Sequence, residues 1–240
     1  MSDDAVRMDK FEVNSVPIEQ QILPTSRPFN SVFGTDMSIL DTPRNVTIIS
    51  REQMNVIGIQ ETRDFSKLTA SSYTQTNFGL PSNPSIRGQT ADVLVNGMRR
   101  GLTVNGNGMP VNFNAVESVN IVKGTASVIY GATSYTGGYA DFITKKPYFD
   151  KFKGSVQGTV GMYDQYRGTL DLGGPVSSTL AYRLSFSGEN SGSYYYGGKK
   201  NTQAIYAAIE WHPTPNYTLE RNSELYVADF NEKWGINRLK

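Results

Sequence analysis

The sequence predicts an α+β domain followed by a run of antiparallel β-strands, and three observations carry that prediction. Up to about residue 147, short strand signals and short helix signals alternate around two long polar stretches. From Phe152 onward the apolar period becomes 2 and stays there. Between these regions, residues 116–147 read as a strand (Ser118 to Val122), a turn at Gly124, a helical turn (Ala126 to Tyr130), a stop at Gly131, a Gly137-Gly138 turn and a second strand (Tyr139 to Thr144).

Composition narrows the function before any motif does. The 240 residues are enough to bury a core, and a net charge of +1 offers no bulk attraction to nucleic acid, so no nucleic-acid partner is expected. The abundance of Gly (23), Tyr (14) and Phe (11) favours strands and turns. With no cysteine, disulfides, thiolate catalysis and thiolate metal sites are excluded. The one histidine, His212, stands in Trp211-His212-Pro213 and reads as a turn residue rather than a metal ligand. No phosphate-binding loop, nucleophile elbow or cluster of metal ligands is present, so the expectation is a protein with no catalytic residues, no metal and no cofactor. No apolar run reaches membrane-helix length, and the N-terminus lacks the apolar core of a secretory signal. Those residues alone leave two options, a cytosolic protein or one whose signal has been removed.

Residues 1–37 carry Pro17, Pro24 and Pro28 among many polar residues and read as a flexible N-terminal arm. Within it, Ala5 to Val13 alternates well enough to add a strand to a partner's sheet edge, with a solvated tail as the competing view. Next, Val46-Thr47-Ile48-Ile49 reads as a strand, and Ser50 as the N-cap of a helix with Gln53 at capping-box spacing. Asp64 to Leu68 is expected to form a second short helix. Ala70 to Pro84 reads as a surface loop, Ser85 to Gly88 and Ala91 to Gly97 as strands, the latter ending in the hairpin signal Asn96-Gly97. Gly101 to Asn112 is a second loop.

Beyond Phe152, Val156 and Val160 share a face opposite Lys153, Ser155, Gln157 and Thr159. Leu170 and Leu172 oppose Arg167 and Asp171; Leu180, Tyr182, Leu184 and Phe186 oppose Ala181, Arg183 and Ser185; Ile205, Ile209 and Trp211 oppose Tyr206 and Ala208. Turns are expected at Gly173-Gly174-Pro175 and at Pro213 to Asn216. Strands of this length fit a membrane β-barrel, with Tyr163, Tyr166, Tyr194 to Tyr196, Trp211 and Tyr217 as interfacial aromatics, but a soluble β-sandwich has the same alternation. In the last segment, Tyr217 to Phe230, Arg221 shares the apolar face, which implies either a position beyond the lipid or a slip in register.

Several of these elements in order, Asp41-Thr42-Pro43-Arg44 with Val46 to Gln53, Ile86-Arg87-Gly88, Val93-Leu94-Val95-Asn96-Gly97, and Val116-Glu117-Ser118-Val119 with Lys123-Gly124-Thr125 through Lys145-Lys146-Pro147, resemble the plug of a TonB-dependent outer-membrane receptor of the siderophore type. The sequence departs from that pattern at Asn96, Asn120, Lys123 and Thr125. The resemblance implies an α+β plug domain (38–147) followed by antiparallel β-strands of an incomplete transmembrane β-barrel (148–240, about five strands), preceded by the arm. Because the family's barrel has about 22 strands and must close, the expectation is a fragment, a truncated product or one half of a split receptor completed by a second chain.

The implied activity is energy-coupled uptake in the bacterial outer membrane. Its partners would be outer-membrane lipid, TonB, and a ferric siderophore or other small nutrient. A non-transporting binding or signalling module is the alternative. The implied TonB box is Val6, Arg7, Met8, Asp9, Lys10, Phe11, Glu12 and Val13. Candidate ligand contacts are Arg87, Arg99, Arg100, Tyr73 and Asn107, although the arginines are equally readable as an ion-pair member and as solvated hairpin charges. Arg87 and Lys123 are the implied plug–barrel ion-pair residues, lysine keeping the charge but losing the two-pronged geometry of arginine.

Overall fold

A computed structural model describes residues 30–35, 37–77, 80–100, 111–130, 135–193 and 197–231. The first unit is built on a five-stranded sheet. Its strands are β1 (Asn45–Ser50), β5 (Asp92–Val95), β6 (Met98–Arg99), β7 (Val116–Lys123) and β8 (Gly138–Thr144), in the order β1-β7-β8-β5-β6. The β5–β8 pair is parallel; the other pairs are antiparallel.

Both faces of this sheet are covered, which is why its strands read as unbroken apolar runs. On one face Ile49, Val119, Ile121 and Phe142 pack with Met54 of helix α1 (Arg51–Ile57) and with Phe65 and Phe113. The three phenylalanine rings stand 5.8–6.0 Å apart, within the range of favourable aromatic pairs. On the other face Ile48, Leu94, Val122 and Tyr139 pack with Val32.

Several local devices match the expectations. Ser50 caps α1 by accepting from the Gln53 amide at 3.2 Å, and Gly58 closes the helix in the left-handed region at φ 73°. Gln53 Oε1 has no hydrogen-bond partner, so the reciprocal arm of the capping box is not made. Asn96 and Gly97 take φ values of 50° and 77°, as a type I′ hairpin turn requires. A Cβ on Gly137 would stand 2.3 Å from the Ile86 carbonyl oxygen, and one on Gly138 2.4 Å from that of Val122, so this approach demands glycine.

Other expectations are corrected. Residues 70–84 are not an irregular loop: β2 (Ser72–Asn77) and β3 (Leu80–Ile86) form a hairpin, joined by β4 (Gln89–Thr90) into a separate three-stranded sheet. Pro81 and Pro84 interrupt the pattern, yet they are tolerated because the pairing is short and its register shifts between Thr74 and Thr76. Arg87 and Gly88 are not strand residues but the turn between β3 and β4, with Arg87 at φ 54°. The expected helices at 64–68 and 126–130 are 3-10 turns, Thr62–Lys67 and Val128–Tyr130.

The second unit is a meander of β9 (Lys153–Gly161), β10 (Gln165–Pro175), β11 (Leu180–Gly192), β12 (Lys199–Thr214) and β13 (Tyr217–Asn231), each antiparallel to the next. The sheet is unclosed among the described residues. Gly173-Gly174-Pro175 belongs to β10; the turn follows it, where Ser177 Oγ accepts from the amides of Thr179 and Leu180. A Cβ on Gly174 would lie 2.9 Å from the Phe152 Cα, so these glycines serve close chain approach rather than turning. His212 is a strand residue of β12, stacked on Phe149 with ring centroids 4.7 Å apart and bonded through Nε2 to Glu210. The register of β12 with β13 runs without a slip from Lys199↔Asn231 to Trp211↔Leu219, which places Arg221 opposite Ile209 on the outer face, close to the turn. No helix among the described residues is long and apolar enough to cross a membrane, which says nothing about strands.

Candidate functional site

The inner face of the five-stranded wall is polar, and the first unit sits against it. Arg183 and Ser185 of β11, together with Tyr206 of β12, are buried there, whereas Val156, Val160, Leu219, Leu225 and Val227 on the other face are exposed. This inversion buries charge, which then has to be paired and hydrogen-bonded.

The partners converge on Asp171. Its carboxylate accepts from Lys145 Nζ at 2.5 Å, from Arg183 Nε and Nη2 at 3.1 and 2.8 Å, and from Ser185 Oγ at 2.9 Å. Arg183 also donates to the Lys146 carbonyl oxygen at 3.1 Å, lies 3.6 Å from Glu117 Oε2 of β7, and rests its guanidinium 4.4 Å over the Tyr148 ring. Tyr206 donates its hydroxyl to the Lys145 carbonyl oxygen at 2.8 Å. Arg51, at the start of α1, donates to the Phe113 carbonyl oxygen at 2.6 Å, while its Nε and Glu117 Oε2 have no hydrogen-bond partner. Burial lowers the Arg51 guanidinium to about 10, opposed by Glu117 and Asp171. Burial likewise lowers the Lys145 ammonium to about 8, Arg51 adding to the effect and Asp171 opposing it.

Further contacts tie the same two surfaces. Asn114 Nδ2 donates to the Phe186 carbonyl oxygen at 2.9 Å, Arg167 Nη1 to Gln60 Oε1 at 3.2 Å, and Lys146 Nζ to Glu220 Oε1 at 3.0 Å. Such an arrangement binds one unit against the other and fixes its position. No metal-binding group of His, Cys, Asp or Glu is found among the described residues.

The residues singled out from sequence fare differently. Tyr73 and Arg87 come to one hairpin: Tyr73 is exposed on β2, and the Arg87 amide donates to the Ser71 carbonyl oxygen at 2.9 Å. Arg99 and Arg100 are not solvated hairpin charges. Arg99 Nε lies 3.5 Å from the buried Asp92, whose carboxyl burial pushes up, and Arg100 Nη2 lies 3.9 Å from Glu224 of β13. Lys123 ends β7 opposite Asn45 and Gly138, and neither it nor Arg87 has an ion pair among the described residues. Asn107 and the segment Val6 to Val13 lie outside the described residues.

Sequence reasoning missed Arg51, Glu117, Lys145, Asp171 and Arg183. The signal was present in the alternation itself: Asp171 and Arg183 fall on the polar side of strands whose other side is apolar, and charges facing inward on a wall need partners.

Comparison with known proteins agrees with this geometry. Residues 38–138 match the family model of the TonB-dependent receptor plug domain. The metal-pseudopaline receptor CntO of Pseudomonas aeruginosa is 31% identical over 112 residues, covering 46% of this chain and 16% of that protein. The ferrioxamine receptor of Yersinia enterocolitica is 24% identical over 222 residues, covering 88% of this chain and 31% of that protein. Among solved structures, the pyoverdine outer-membrane receptor FpvA of P. aeruginosa bound to pyoverdine superposes with a TM-score of 0.78 at 20% identity, covering 90% of this chain and 33% of its own. The alcaligin outer-membrane receptor FauA of Bordetella pertussis gives 0.71 at 18% identity, covering 86% and 35%. The chain therefore spans about a third or less of the length of the two curated relatives.

Proposed function

We propose that this chain, whose residues 38–138 match the plug domain of TonB-dependent receptors and whose fold is that of solved outer-membrane receptors, is a receptor of that family serving energy-coupled uptake of a ferric siderophore or similar nutrient across the outer membrane. The observation that carries this reading is the plug held by a buried charge cluster against the polar face of a wall whose opposite face is apolar. A wall of that polarity suits lipid outside and a polar lumen inside. Residues 1–37, 38–147 and 148–240 would be arm, plug and first barrel strands. The ligand would meet Tyr73 on β2, Arg87 in the β3–β4 turn, and Asn107. Arg99 and Arg100, already ion-paired, would instead hold the hairpin in shape. Val6 to Val13 would be captured by TonB as an added strand, in which main-chain hydrogen bonds give affinity without a strict sequence.

Two measurements test this reading. Outer-membrane fractions containing the protein should bind ferric siderophores and show a heat-modifiable, barrel-type gel shift; fractionation with soluble protein would sink membrane insertion. Removal of residues 1–15 should abolish binding to the C-terminal domain of TonB, and unchanged binding would remove the TonB-box assignment.

A further inference from the structure

Ser31 lies within residues 1–37, which the sequence reads as a flexible arm, yet it is fully buried, which corrects that expectation for the segment around it. Its Oγ donates to Asp141 Oδ2 at 2.8 Å and accepts from Asn120 Nδ2 at 2.8 Å, while the Tyr139 hydroxyl donates to the Ser31 carbonyl oxygen. Val32 then enters the cluster of Ile48, Leu94, Val122 and Tyr139, and the Gly34 amide closes a turn on the Asn30 carbonyl oxygen at 2.8 Å. Asn120, Tyr139 and Asp141 belong to β7 and β8, and all three are buried. A segment of six residues is thus seated by one hydroxyl, one carbonyl and one valine in a polar notch at the centre of the sheet.

The notch is wired onward. The other oxygen of Asp141, Oδ1, accepts from the Gly97 amide at 3.0 Å. Beside it, the Asn96 amide donates to the Phe142 carbonyl oxygen at 3.0 Å; the Asn96 side chain donates to Thr144 Oγ1 at 2.8 Å and accepts from the Thr144 amide at 2.9 Å. The next residue, Lys145, donates its amide to the Ala115 carbonyl oxygen at 2.9 Å and its ammonium to Asp171 of the wall.

We propose that residues 30–35 are a detachable key seated in the notch of Asn120, Tyr139 and Asp141. Its seating holds the Asn96–Gly97 turn and, through Thr144, the Lys145 contact with the wall. When Ser31 leaves, the Asn120 amide and the Tyr139 phenol lose this partner and the Asp141 carboxyl keeps only the Gly97 amide, and unpaired buried polar groups are costly enough to force rearrangement. By turning out of the notch toward solvent, Asp141 regains hydrogen bonds and releases Gly97. The two-state element that such coupling needs is the key, seated or withdrawn. This inference stands on contacts within the chain and does not rest on the uptake reading.

Hydrogen exchange of the full chain in detergent tests it. Ser31→Ala should speed exchange about tenfold, the scale of one buried hydrogen bond, at residues 30–35, at the amides of Asn96 and Gly97, and at those of Thr144 and Lys145. The amides of Val119 to Val122 should not change. Ser31→Thr, which keeps the hydroxyl but adds a methyl to a buried site, should speed exchange at Asn96, Gly97, Thr144 and Lys145 less than Ser31→Ala does. Acceleration confined to 30–35, or spread evenly over β7 and β8, overturns the coupling. Should Ser31→Ala fail to fold, Asn96→Gly keeps a residue suited to positive φ and removes only the side-chain bridge. It should speed exchange at Thr144 and Lys145 without disturbing 30–35, and unchanged exchange at Thr144 overturns the proposal equally.

Discussion

Phe142 and Phe186 both lie on β-strands and point to opposite fates. Phe142 is fully buried between Phe65 and Phe113, whereas Phe186 is 38% exposed on the outer face of the wall. Their neighbours invert in the same way. The plug sheet buries its apolar residues on both faces; the wall buries Arg183, Ser185 and Tyr206 and exposes leucine and valine. The lesson is that alternation tells which residues share a face, while the identity of the solvent decides which face is inside. In the plug the apolar faces meet each other, and in the wall the apolar face is left for a lipid-like medium.

The largest expected effect tests that inversion directly. Phe142→Ala should destabilise the plug by about 3–5 kcal/mol through lost burial and a residual cavity. Phe186→Ala, at an exposed site, should cost within about 0.5 kcal/mol. Chemical denaturation in detergent, followed separately for each unit, measures both; equal losses would break the comparison.

Next in size is the charge cluster joining the regions. Asp171→Ala leaves Lys145 and Arg183 buried without their shared acceptor and should cost about 3 kcal/mol, the lower end for a broken buried pair. Replacing Lys145, Asp171 and Arg183 together by apolar residues of similar volume should recover most of that loss, because no uncompensated charge remains. A triple variant as unstable as Asp171→Ala would show that shape rather than charge sets the contact.

A pH titration sharpens the contrast further. Burial pushes the Asp141 carboxyl above its ordinary range, while its hydrogen bonds from Gly97 and Ser31 pull it back; Tyr130 and Tyr139 stand beside it, and Arg44 acts on Tyr139. A carboxyl raised in the folded state contributes stability at pH below its unfolded value, and that contribution is lost as pH rises through the raised value. The stability of Asp141→Asn relative to wild type should therefore grow with pH across that interval. A constant difference would mean that the carboxyl ionises as it does in the unfolded chain.

Much of the plug was legible because its signals are local. Val46 to Ile49 announced β1, Ser50 capped the helix as its spacing implied, and Asn96-Gly97 made the expected turn. The β2–β3 hairpin escaped because Pro81, Pro84 and many polar residues hide a pairing that depends on its neighbours. The wall's alternation was readable, yet the Glu117, Lys145, Asp171 and Arg183 cluster was not, since its members are far apart in sequence and periodicity gives a face but no partner. Arg99 and Arg100 show the same limit: their charge was evident, and Asp92 and Glu224 were not.

The smallest predicted effect comes from adjacent lysines. Lys145 and Lys146 each reach a carboxylate of the wall, at 2.5 and 3.0 Å, but side-chain exposures are 5% and 12% for Lys145 and Asp171 against 65% and 42% for Lys146 and Glu220. Water screens the second pair and competes for both partners, so the similar distances conceal different energies. Lys146→Ala should change stability by no more than about 1 kcal/mol, and the difference should vanish as salt approaches about 1 M, where the screening length falls to about 3 Å. A double-mutant cycle with Glu220→Ala isolates the pair from other effects of the substitution. A salt-independent coupling would mean that this rim is as dry as the cluster around Asp171, and that the boundary between the two lysines does not mark the edge of the buried contact.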